Sequence, residues 1–249
     1  MDLVGDLLAR DRRTRDTALV TPDGRERTYH DLITNGYKAA NVLRYLGVRA
    51  GATVAVDPTP GFHTTLAFLG AAAVGAPVRF DPEAGIEAGD RVVLAPVATA
   101  ATFDPAPGTN LAAYGGSPER PETTHWEQEL WSENPGTPPS DVGPDDAVIR
   151  DGPRDVTHRR LCAVADSFAE KHGVGTGTRV VLRASFADPG AVAAGVVAPL
   201  SRGGTAVLAG HDSAADSDSA AEALGDVAVA SAGAPVDEPV AATPPSLER

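Results

Sequence analysis

The stretch DDAVIRDGPRDVTH, from Asp145 to His158, gathers Gly152, Pro153, Arg154, Thr157 and His158 within seven residues. These residue types hold anions. A glycine lets backbone come close, the first N–H groups of a helix point outward, and a guanidinium adds charge. The run reads as an apolar strand, a turn and a helix start, the place where nucleotide enzymes put a Gly/Ser/Thr-rich phosphate loop. Here that loop is almost absent, and Asp151 and Asp155 flank the turn.

Other candidate chemistry is sparser. GVGTG (173–177) follows a helix pattern and opens a strand pattern, the reverse of a dinucleotide loop, and reads as a turn. The loops DPTPGF and ASFADPG sit after apolar strands, where α/β sheets bind ligands, but their acids disfavour phosphate. Six histidines occur, no two of them four residues apart, so no metal site is expected. His30 and His158 read as equivalent positions in a repeat. The single cysteine, Cys162, excludes an internal disulfide and a multi-cysteine zinc site, and reads as a small buried helix residue. Ser117 lacks the G-x-S-x-G of a nucleophile elbow.

The elements that position these residues come in two copies. TYHDLITNGYKAANVLRYLGVRAGATVAV from Thr28 matches VTHRRLCAVADSFAEKHGVGTGTRVVL from Val156. Gly47 and Gly173, Gly51 and Gly177, and Val54 and Val180 each stand 126 residues apart. Thr28 and Asp31 fit a capping box. Ile33, Tyr37, Ala40 and Leu43 recur at helical spacing, as do Leu161, Val164, Ala165 and Phe168. Each helix ends at a glycine suited to a left-handed cap. FHTTLAFLGAAAVGAPVRF (62–80) and AVAAGVVAPLSRGGTAVL (191–208) then repeat helix, turn and strand. Alternation of helices with continuous apolar strands implies α/β lobes with mostly parallel sheets. The expected division is a first lobe over 1–118, a Pro/Gly-rich linker over 119–144, a second lobe over 145–233 and a disordered tail over 234–249. DRVVLAP and TNLAAYG read as further strands, THWEQELWSE as a short helix, and SAAEALGDVAVAS as one more helix and strand.

Composition bounds the function classes. The 249 residues are 42% hydrophobic but only 5% aromatic, so the core is built mainly from Ala, Val and Leu. The net charge is −13, and Lys38 and Lys171 are the only lysines. This points to a halophile or to a GC-rich genome. The chain's own field repels nucleic acid and anionic membranes. No apolar run reaches the roughly 18 residues of a membrane helix. The N-terminus lacks the basic start of a signal peptide, so a cytoplasmic location is expected.

ALVTPDGRERTYHDLITNGYKAANVLRYLGVRAGATVAV resembles the opening of the adenylate-forming (AMP-binding) superfamily of acyl-CoA synthetases, nonribosomal peptide adenylation domains and luciferases. AFLGAAAVGAPVRFDP resembles the family's next segment. The resemblance covers residues 5–82 well and 141–210 moderately. It implies the acetyl-CoA synthetase-like N-terminal fold, with two similar α/β subdomains. In the family an Asp-Asp strand leads to Thr-Ser-Gly-Thr-Thr-Gly-x-Pro-Lys-Gly around the ATP phosphates, then Thr-His on a helix. Asp145-Asp146, Pro153-Arg154 and Thr157-His158 resemble the flanks, and Arg150-Asp151-Gly152 stands where the Ser/Thr/Gly part would be. The resemblance therefore marks Gly152, Pro153, Arg154, Thr157 and His158 as remnants of a nucleotide site. The chain also looks like a short family of truncated relatives known mostly from actinobacteria.

Three expectations follow. The first is a non-catalytic partner or regulatory protein with no cofactor, forming a homodimer or a complex through exposed apolar lobe surface. The second is a binder of an acyl-CoA or a nucleotide. The third is half of a split acyl-activating ligase, with ATP or AMP, CoA and Mg as the implied ligands.

Overall fold

The two longest helices each follow a threonine and stop before a glycine. Helix α1 (Tyr29–Tyr45) follows Thr28, whose hydroxyl accepts from the Asp31 N–H while the Asp31 carboxylate accepts from the Thr28 N–H. Helix α5 (His158–His172) follows Thr157, whose hydroxyl accepts from the Arg160 N–H. At their ends Gly47 (φ +88°) and Gly173 (φ +65°) turn the chain, and the Val48 and Val174 N–H groups donate back to Leu43 and Ala169. Both valines are buried, which makes the apolar contact of such a cap. The apolar stripes expected on α1 and α5 are buried, and Cys162 is buried among the second.

The computed structural model describes residues 1–152, 154–209 and 224–247. Its strands are β1 (Thr17–Val20), β2 (Glu26–Thr28), β3 (Thr53–Val56), β4 (Val78–Arg79), β5 (Asp90–Pro96), β6 (Asn110–Tyr114), β7 (Thr124–His125), β8 (Ala147–Asp151), β9 (Arg154–Thr157), β10 (Arg179–Leu182), β11 (Thr205–Leu208), β12 (Val227–Val229) and β13 (Val240–Ala242). Helix α2 (Phe62–Ala73) links β3 to β4, α3 (Val97–Ala100) follows β5, and α4 (Trp126–Ser132) follows β7. Between β10 and β11, α6 (Pro189–Val192) and α7 (Ala198–Ser201) flank a π-helical stretch, Ala193–Val197. The widened turn stands just before Pro199, which has no N–H for the helical ladder.

Two parallel-rich sheets result, with orders β7-β6-β5-β3-β4-β8-β9 and β13-β12-β10-β11-β1-β2. The protein is therefore a mixed α/β fold. Leaving out β7, the two orders match strand for strand. The match contains an exchange. Hairpin β1–β2 precedes the first unit's helix yet pairs with β11 of the second sheet, and β8–β9 precedes the second unit's helix yet pairs with β4 of the first. The boundaries expected at 118 and 144 cut across this interlock, because a hairpin joins the sheet whose open edge it reaches. In the span read as linker, α4 buries Trp126 and Leu130. In the span read as a disordered tail, β13 pairs in parallel with β12.

Alternation along the strands divides the core. Val54, Val56, Val92 and Leu94 of one sheet, with Val180, Leu182, Ala206 and Leu208 of the other, join the helices in one shared cluster. Their neighbours Ala55, Val93 and Ala95, and Val181 and Val207, form small clusters on the opposite faces. The helix expected early in SAAEALGDVAVAS falls mostly outside the described residues, whereas its strand is β12. Among the described residues no helix is long and apolar enough to cross a membrane.

Candidate functional site

The stretch 145–158 is a closed hairpin. In β8–β9, Arg150 pairs with Asp155 and Asp151 with Arg154, so Gly152 and Pro153 alone connect the strands. Gly152 has φ +58°, a backbone state that suits glycine at a tight turn. Pro153 lies outside the described residues. The side chain of Arg150 turns to the Thr53 hydroxyl at 2.5 Å and to Asp155 at 3.7 Å.

Beside this hairpin lies an open cleft of about 910 Å³, of the size that small-molecule sites occupy. Its walls come from the hairpin (Asp151, Arg154, Asp155), the start of α5 (Thr157, Arg160), the start of α6 (Asp188 to Gly190) and the C-terminal segment Pro244 to Leu247. The structure thus brings Arg154 and Thr157 to one cleft. Gly152 stands at the hairpin tip and is not part of the wall.

His158 faces the other way. It is wholly buried, and its Nδ1 accepts from the Val4 N–H at 3.1 Å. Burial holds the imidazole below its usual pKa, against the opposing pull of Asp146 and Asp6. The residue that matches it in the first unit is Tyr29, also the first residue after a capping threonine. Tyr29 is buried and donates to the Gly204 carbonyl at 2.7 Å. The pairing of His30 with His158 read from sequence is therefore shifted by one. His30 is exposed, because position relative to the cap sets which side chain turns inward.

The anion-binding end of α6 is already satisfied. The Asp188 carboxylate accepts from the Gly190 and Ala191 N–H groups at 2.8 and 3.3 Å, as a helix-capping acid does. Three carboxylates, Asp151, Asp155 and Asp188, line the cleft with two guanidiniums, Arg154 and Arg160.

A second convergence was not legible in the sequence. Glu127 receives the Gly115 N–H at 2.6 Å and stands 3.6 Å from both His63 and His125. Burial lowers the pKa of His63, and Glu127 opposes that shift. The only local signal was His125 two residues before Glu127; His63 comes from another element. Among the described residues no group of three or more His, Cys, Asp or Glu is arranged to hold a metal ion. Cys162 is unsuited to nucleophilic chemistry, since burial pushes its thiol up to about 11.

The mixed α/β fold with two parallel-rich sheets matches that of the N-terminal domain of acyl-CoA synthetase-like enzymes. Solved structures with it include the N-terminal domain of FACL13 from Mycobacterium tuberculosis (22% identity, TM-score 0.71, 84% of this chain and 57% of that one). Apo MatB from Rhodopseudomonas palustris is also similar (14% identity, TM-score 0.71, 92% and 49%). So is a benzoate CoA ligase from Burkholderia xenovorans LB400 (22% identity, TM-score 0.69, 83% and 45%). The chain spans about half the length of these structures. No family model and no curated protein matches the sequence.

Proposed function

We propose that this chain is a non-catalytic relative of the adenylate-forming ligases, similar to the short actinobacterial family, and that it serves as a partner or regulatory protein. One observation carries the reading. The register Asp151 to Arg154 leaves two residues where a phosphate-wrapping loop would run. A triphosphate needs several converging N–H and hydroxyl donors. A two-residue turn offers few, the α6 amides already bind Asp188, and two aspartates flank the turn. Gly152, Pro153, Arg154, Thr157 and His158 are then inherited scaffold. The test is ATP–pyrophosphate exchange by the purified protein with Mg and a panel of carboxylic acids. No exchange is expected, and any turnover above a heat-killed control overturns the reading.

Association through exposed apolar surface belongs to the same proposal. Trp131 on α4 and Tyr45 at the end of α1 are 83% and 75% exposed, and they are the side chains on which such a surface would be built. Light scattering at micromolar concentration is expected to show a dimer, or a hetero-complex once a partner is added. The volume of the cleft favours a second reading, a binder of an acyl-CoA or a nucleotide. A thermal-shift screen at high salt decides between them, since a stabilising acyl-CoA or nucleotide would favour the binder.

A further inference from the structure

At the carboxyl end of the first sheet one carboxylate meets three elements. Strands β3, β5, β6 and β7 run parallel, so the residues that follow them share that end. Tyr114 closes β6, His125 closes β7, Glu127 stands in the first turn of α4, and His63 stands in the first turn of α2. The Glu127 Oε1 atom accepts from the Gly115 N–H at 2.6 Å and lies 3.6 Å from His63 Nε2. Its Oε2 atom lies 3.6 Å from His125 Nε2. Both approaches are longer than an N–H···O hydrogen bond. Oε2 and the His63 Nδ1 atom are buried without a hydrogen-bond partner. The His63 ring packs on Phe62 and Tyr114, at centroid distances of 5.7 and 5.1 Å. Burial, opposed by Glu127 and reinforced by Arg27 of β2, holds His63 below its usual pKa. Burial pushes Tyr114 up to about 12 against a hydrogen bond with Thr64, and Asp57 and Glu127 add to the rise. On its other side His125 lines an open groove of about 430 Å³ with Arg120, Glu122 and Glu129. Arg120 is tied to the Phe103 and Ala101 carbonyls.

We infer that Glu127, His125 and His63 form a proton-operated latch on the loop between β6 and β7. A proton from solvent, taken up by His125, makes that imidazolium a donor to Oε2 and closes the gap to a charge-assisted bond. The negative charge of Glu127 is then neutralised in a part-buried place, which burial favours. Glu127 holds the loop at both ends, at Gly115 and at His125. His63 stays neutral, because burial and Arg27 resist a second cation there, and it backs the carboxylate from α2. The loop forms one side of the groove, so the latch sets the shape of that groove.

The test is amide hydrogen exchange of the full chain at pH 7 and pH 5, corrected for intrinsic rates. Residues 115–123 are expected to exchange about fivefold more slowly at pH 5. Loss of the His158 contribution weakens the fold as a whole over the same range, so a gain confined to the loop stands apart from it. E127Q keeps an acceptor for Gly115 but not the charge, and is expected to remove the gain. H125N is expected to remove it as well, and H63N to keep it. No gain in wild type, or a gain retained in E127Q or H125N, overturns the proposal. A gain lost in H63N overturns the placing of the proton on His125. Should the variants fail to fold, wild type alone decides by nuclear magnetic resonance. The Gly115 amide proton is expected to shift along the titration curve of the His125 imidazole, and a Gly115 signal that stays still overturns the latch.

Discussion

The two hairpins occupy matching places in matching sheets, yet they close differently. In β1–β2, Val20 pairs with Glu26 and five residues intervene. That loop is folded on itself: Gly24 donates to Thr21, Thr21 to the Arg25 carbonyl, and Asp23 pairs with Arg25 at 3.2 Å. In β8–β9 only two residues intervene. The stretch that resembles the approach to a phosphate loop is thus tighter than its counterpart, for which no ligand role arises. What the two share is structural. Each hairpin finishes the other unit's sheet and delivers a threonine cap followed by one buried residue, Tyr29 or His158. The comparison teaches that both handovers serve the interlock of the units.

The largest effect is expected where the second hairpin hands over to its helix. H158A empties a fully buried site and strands the Val4 N–H, at a cost of about 3 kcal/mol. Thermal melting should fall by on the order of 10 °C. A variant that melts with wild type would break the equivalence of the two handovers.

Next come the small-residue helices. A β-carbon on Gly70 of α2 would lie 2.8 Å from the backbone nitrogen of Ala40 in α1, whereas one on Gly195 would meet the Leu182 side chain. Backbone cannot give way as a leucine can. G70A should therefore cost about 2 kcal/mol and G195A about 1 kcal/mol by denaturant unfolding. The reverse order would show that helix α1 is free to shift.

Y29F removes one buried hydroxyl that serves the Gly204 and Leu200 carbonyls, and should cost about 1 kcal/mol. An unchanged urea midpoint would show that these carbonyls find other partners.

The smallest effect is in pH dependence. His158 has a lowered folded-state pKa, so the unfolded chain takes up its proton first as pH falls. Its contribution is whole above the unfolded value, about 6.5, and is lost as pH falls from there through the folded one. H158N keeps an acceptor for Val4 and does not titrate. It should show a shallower loss of stability between pH 7 and 5 than wild type. Identical slopes would assign the effect to other groups.

Much of this was legible locally. The capping box at Thr28, the stripe from Leu161 to Phe168, the glycine stops and the strand DRVVLAP all depend on neighbours within a few residues. So did the shortened turn at Gly152, since seven residues cannot hold both a strand pair and a long loop. The misassigned histidine shows the limit. Similar letters aligned His30 with His158, but distance from the cap placed Tyr29 there instead.

By itself, then, the sequence determined the repeat, its helices and strands, and how little chain remains between Asp151 and Arg154. Only the tertiary structure decided which sheet each hairpin joins, that His158 meets Val4, and that His63 and His125 flank Glu127. The reason is physical. Caps, periodicity and turn length act over one or two helical turns. Pairing across more than a hundred residues is selected by which open edges and buried faces meet once the whole chain is packed.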